Sequence, residues 1–111
     1  MEERRGYQFI ACNTGTQPEG AGVLRKIRVP FRVIRQIAYV YQTMEGIGGD
    51  EVWAEAFKRL AEIAPEWNLA DGEGNPLPQP KDDPMAFDEL DDAELRWLFS
   101  DVLRGPAAPN P

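Results

Sequence analysis

Apolar positions along this chain change their period twice. Tyr7 to Cys12 is a short apolar run carrying Tyr, Phe and Ile, the composition of a strand. From Val23 to Val29 the period is two. Val23, Ile27 and Val29 share one face and Lys26 and Arg28 the other, while Arg25 breaks the alternation. Asn13 to Gly22, between the two runs, holds three glycines, a proline and two threonines, which is loop chemistry. The pattern predicts a β-hairpin over residues 7–29 with a long, mobile loop.

Beyond Val29 the period lengthens to three and four. Pro30 suits the first turn of a helix, where its missing N–H costs nothing. Phe31, Ile34, Ile37, Ala38, Tyr41 and Met44 then recur on one helical face, and Gly46, Gly48 and Gly49 stop that helix. Asp50 suits an N-cap, and Glu51 suits the positive end of the helix dipole. Val52, Trp53, Ala56, Phe57, Leu60 and Ala64 make a second stripe, which Pro65 ends. Two helices of about 30–45 and 50–64, joined by a glycine-rich turn, should pack as an antiparallel hairpin.

Residues 66–84 contain four prolines and two glycines, which argues against regular structure. Trp67, Leu69 and Leu77 are large and apolar, so the segment should be pinned across the helices. Asp91 and Glu94 have capping-box spacing, with Leu90 and Leu95 placed as a hydrophobic staple. Leu95, Leu98, Phe99 and Val102, with Trp97 beside them, form a last helical face over 91–104, closed by Gly105 and Pro106. The expected fold is mainly α. It is a small α+β domain over residues 1–104, with a short N-terminal hairpin, a helical hairpin, a Pro-rich crossing segment and a C-terminal helix. Residues 105–111 form a flexible tail.

Composition narrows the function. With 111 residues, 42% of them hydrophobic, the chain can build one modest core. Its longest run without a charged residue, Gly6 to Pro18, is 13 residues long and too polar for a bilayer, and no secretory signal is visible. There is no histidine and one cysteine, Cys12, which excludes an internal disulfide, a structural zinc site, and Ser-His-Asp or Cys-His catalysis. No cofactor motif is present.

The net charge of -7 is unevenly spread: residues 1–49 carry +3 and residues 50–111 carry -10. The acidic balance argues against nucleic-acid binding. Arg25, Lys26, Arg28, Arg32 and Arg35 form either a solvated basic face that complements the acidic half or a residual contact for nucleic acid. The opposite polarity of the halves suits weak head-to-tail self-association.

Asp71, Glu73 and Asn75 alternate like the first ligands of a calcium loop, but Pro76 replaces the required glycine and Asp82 the bidentate glutamate, so a tight turn is expected. The acidic run Asp82, Asp83, Asp88, Glu89, Asp91 and Asp92 flanks a helix start, where carboxylates are favoured without any catalytic role. Cys12 has no histidine to activate it and reads as a small, half-buried strand residue. Trp67 and Trp97 can be either core or exposed anchors. The candidate protein-interface residues are Trp67, Leu69, Leu77, Trp97, Arg28, Arg32 and Arg35.

The run Phe57…Leu60…Trp67-Asn68-Leu69…Asp71…Gly74-Asn75-Pro76-Leu77-Pro78, followed by Leu90…Leu95, Trp97 and Leu98, resembles the tail assembly chaperones of long-tailed, siphovirus-type phages. The order of elements matches over about residues 23–103, while the loop from Asn13 to Gly22 departs from it. The resemblance implies a non-enzymatic protein of the host cytoplasm that coats the tape measure protein and recruits tail tube subunits. It also implies a longer product made by a frameshift, which here would fall within residues 104–111. Two other readings stay open. One is a head–tail or tail connector subunit. The other is a small acidic inhibitor that mimics nucleic acid.

Overall fold

A computed structural model describes residues 5–44 and 50–104. Strands β1 (Tyr7–Ala11), β2 (Gly22–Lys26) and β3 (Glu66–Trp67) form one antiparallel sheet in that order. Phe9 faces Leu24 across the first pair, and Val23 faces Trp67 across the second. As the central strand, β2 is covered on both faces, and Gly22, Val23, Leu24 and Arg25 are all buried. Gly22 is required sterically. A Cβ there would lie 2.3 Å from the Ile10 carbonyl oxygen and 2.6 Å from the Phe9 ring.

Helices α1 (Phe31–Met44) and α2 (Asp50–Ile63) pair antiparallel: Arg59 Nη1 donates to Gln36 Oε1 at 3.2 Å, and Tyr41 meets Trp53 edge-on at 6.4 Å. A 3-10 helix (Pro84–Glu89) packs on α2 through Phe57 and Phe87. The last helix starts as α3 (Asp92–Trp97) and continues as a π-helical turn, Leu98–Val102. Its start is fixed by a full capping box. The Asp91 carboxylate accepts from the Glu94 N–H at 2.7 Å, and Glu94 accepts from the Asp91 N–H at 2.9 Å. The molecule is therefore a small α+β domain, not a purely helical one.

The core is organised by a chain of aromatic rings. Phe99 stacks on Tyr41 at 4.2 Å, and the contacts continue through Trp53, Phe57 and Phe87 to Trp67. Val23, Ile37, Leu60, Leu69, Leu98, Val102 and Leu103 close around it.

Three expectations change. Strand β2 ends at Lys26, so Ile27 lies beyond it and is 59% exposed. Residues 66–84 do contain regular structure. The residues just after Pro65 keep their N–H groups, so Glu66 and Trp67 pair with the open edge of β2. The 3-10 helix begins at the end of that segment, because Asp83 accepts from the Met85 N–H at 3.1 Å and Pro84 occupies the first position.

The loop after β1 is tied down, not free. The Gln17 side chain accepts from the Ala70 N–H and donates to its carbonyl, both at 2.8 Å. Asn68 Oδ1 accepts from the Gly22 N–H at 2.7 Å, and Thr16 and Gln17 both donate to buried Glu94. The glycine turn at 46–49, the side chains of Met44 and Asp50, and the tail at 105–111 lie outside the described residues.

Candidate protein-docking groove

Of the seven residues singled out for an interface, four are interior. Trp67 and Leu69 are 1% exposed, Trp97 is 3% and Leu77 is 7%. Each is held by more than burial. Trp67 Nε1 donates to the Pro78 carbonyl at 2.9 Å, Trp97 Nε1 donates to the Ala11 carbonyl at 3.1 Å, and the Leu77 N–H bonds back to Leu69 at 3.1 Å. These tryptophans are core residues whose polar handles find internal partners. They offer no contact surface. Arg28, Arg32 and Arg35 are exposed.

The apolar surface lies elsewhere. A groove of about 650 Å³ runs between α1 and the last helix. Phe31, Ile34, Ala38 and Tyr39 line one side, with Phe99 and Leu103 on the other and the stacked Tyr41–Phe99 pair bridging the two. Phe31 was expected on the core-facing stripe of α1. It is 73% exposed, and Tyr39 is 64% exposed, because the last helix stands off from α1 by the width of this groove. Arg35, Arg96 and Arg104 rim it, and no carboxylate is among the described residues that line it. Arg28 and Arg32 are not among those lining residues.

Arg25 explains how the far wall is held. This residue interrupts the alternation of β2, and its guanidinium is buried against the end of the last helix. Its Nε donates to the Val102 carbonyl and its Nη2 to the Leu103 carbonyl at 2.9 Å. Two terminal carbonyls that the helix cannot satisfy internally gain a cation, which also complements the negative end of the dipole. Burial pulls the Arg25 pKa below its ordinary value, but a guanidinium remains protonated at any working pH.

Sequence reasoning found Arg35 but missed Tyr39, Arg96 and Arg104 as groove residues. The signal was present as two rows spaced by four, Phe31/Arg35/Tyr39 and Arg96/Ser100/Arg104. Only the facing of the two helices shows that these rows belong together.

The groove's chemistry suits binding. The Ser100 hydroxyl is committed to the Arg96 carbonyl at 2.7 Å, and Arg96 pairs with Asp92 at 2.8 Å on the surface. No group of His, Cys, Asp or Glu that could hold a metal ion is found among the described residues. The alternating Asp71, Glu73 and Asn75 make a turn in which the Asp71 carboxylate accepts from the N–H groups of Glu73 and Asn75, both at 2.9 Å. Among the described residues, no helix is long and apolar enough to cross a membrane. No protein-family model, curated protein or solved structure matches this chain.

Proposed function

We propose that this chain is a protein-binding module acting as a tail assembly chaperone of a long-tailed bacteriophage. In this reading it works in the host cytoplasm, binds the tape measure protein and helps recruit tail tube subunits, without catalysis or cofactor. The observation that carries the reading is the groove between α1 and the last helix. Phe31 and Tyr39 stay at the surface beside an apolar concavity while Trp67 and Trp97 are interior. Contiguous exposed apolar surface of this kind marks interaction sites. The Trp67-Asn68-Leu69 to Pro78 resemblance supplies the identity of the client. The buried positions of Trp67, Leu69 and Leu77 make that segment the part that builds the scaffold, with the contacts made by other residues.

Co-expression tests the reading. The tape measure protein of the same phage, produced alone, should aggregate; with this chain it should stay soluble and co-elute. A tape measure protein whose soluble fraction is unchanged by the chain would overturn it.

A further inference from the structure

We infer that the groove between α1 and the last helix binds an amphipathic α-helix of a partner, with an apolar stripe flanked by Asp and Glu. The inference rests on the reading above only in taking the domain to be a protein-binding module. The partner's chemistry comes from the groove.

Backbone accounting selects the form of the occupant. Both walls are helices, whose N–H and C=O groups are bonded within the helix except at its ends, and at the end of the last helix Arg25 takes the Val102 and Leu103 carbonyls. They offer no strand edge to an extended segment, which would enter with its own backbone groups unmet. A helix brings its backbone satisfied and needs only side-chain contact, and a groove between two helices is the natural seat for a third. Ile34, Ala38 and Tyr41 supply the apolar bed over buried Phe99 and Leu103, and Phe31 and Tyr39 stand proud of it.

Charge selects the flanks. Arg35, Arg96 and Arg104 rim the bed with no carboxylate among the described lining residues. The exposed Arg96–Asp92 pair is a surface contact of the kind worth little, so Arg96 can exchange its partner at small cost. The rest of the molecule reinforces the choice. The whole chain carries -7, so an acidic helix is repelled over most of the surface and directed to this rim.

The test uses the full chain and a synthetic helical peptide of about 18 residues, long enough to hold helical structure, with Leu at i, i+3, i+4 and i+7 and Glu on both flanks. A second peptide carries Lys for Glu, and a third is interrupted by proline. Calorimetry should show the Glu peptide binding at least about tenfold tighter than the Lys peptide, with affinity falling as salt rises. Amide shifts should map to α1 and to residues 98–104. Arg35→Glu with Arg104→Glu should reverse the preference. Both side chains are exposed, so the variant's circular dichroism should match the parent. Phe31→Ser should weaken both peptides. Failure to bind, indifference to flank charge, equal binding of the proline-interrupted peptide, or a dimer that Phe31→Ser dissociates would each overturn the inference. Tape measure protein kept soluble without peptide preference removes the inference alone. Peptide preference without effect on the tape measure protein removes the chaperone reading alone.

Discussion

The side-chain amide of Gln79 binds both backbone polar groups of Trp67. The Trp67 N–H donates to Gln79 Oε1 at 2.8 Å, and Gln79 Nε2 donates to the Trp67 carbonyl at 2.8 Å. Gln79 thus pairs with Trp67 as a neighbouring strand would, on the edge of β3 that β2 does not use. Prolines 78 and 80 on either side of it have no N–H to offer, so the pairing comes from a side chain.

Gln79→Ala leaves an N–H and a carbonyl of a buried residue without these partners. The expected loss is about 1–3 kcal/mol in urea melts, the cost of orphaning partly buried polar groups. Gln79→Glu keeps the acceptor and sets a carboxylate against the Trp67 carbonyl, so it should lose at least as much at neutral pH and recover part of the loss as acid protonates it. Equal stability of parent and Gln79→Ala would show that water replaces the amide.

The two classes of aromatic residue should separate under mutation. Trp67 touches Phe87 edge-on at 5.1 Å and is fully enclosed. Trp67→Ala should cost about 3–5 kcal/mol. Phe31→Ala, at a side chain 73% exposed, should stay within about 0.5 kcal/mol. A Phe31 variant that melts as early as the Trp67 variant would place Phe31 in the core and leave the groove without its most exposed apolar wall.

The same pair of residues shows what the sequence could tell. Periodicity located α1, α2 and the capping box of the last helix, because those signals are local. It grouped Phe31 with Ile37 on one stripe, but stripe membership does not say which flank a neighbouring helix covers. Ile37 is 0% exposed and Phe31 is not covered. Arg25 reads as a break in an alternating strand and as one of a row of solvated bases, yet it is buried. Its reason lies 77 residues away, at the Val102 carbonyl. Gln17, Asn68 and Gln79 pair with the backbone of Ala70, Gly22 and Trp67, and that pairing cannot be read from spacing. The groove was hidden for the same cause: its two walls come from α1 and the last helix, far apart in sequence.

Arg25 should therefore act on the groove as well as on stability. Arg25→Met keeps length and apolar stem but strips the Val102 and Leu103 carbonyls of their donor. We expect a loss of about 1–3 kcal/mol and faster amide exchange in residues 98–104 than in α2. Arg25→Lys should not restore the parent, since one ammonium cannot reproduce the fork that meets both carbonyls. Exchange that rises uniformly across the domain in Arg25→Met would refute a local role at the groove wall.

Acid should expose the turn at Asp71. Its carboxylate accepts from the backbone N–H of Asn75, the larger influence, and of Glu73, and these bonds hold its pKa below the ordinary carboxylate value. Hydrogen bonds to the charged form favour that form in the folded state. The sign follows from linkage. The folded pKa lies below the unfolded one, so the stabilisation is complete above the unfolded value of about 3.9 and fades as pH falls through the folded value. Asp71→Asn keeps a side-chain acceptor for the same N–H groups but cannot titrate. The parent should be the more stable of the two at pH 6, and the gap should close in melts run at successively lower pH below about 4. A gap that stays constant down to acid pH would mean that the charge on Asp71 contributes nothing to the turn, and that its oxygen alone shapes it.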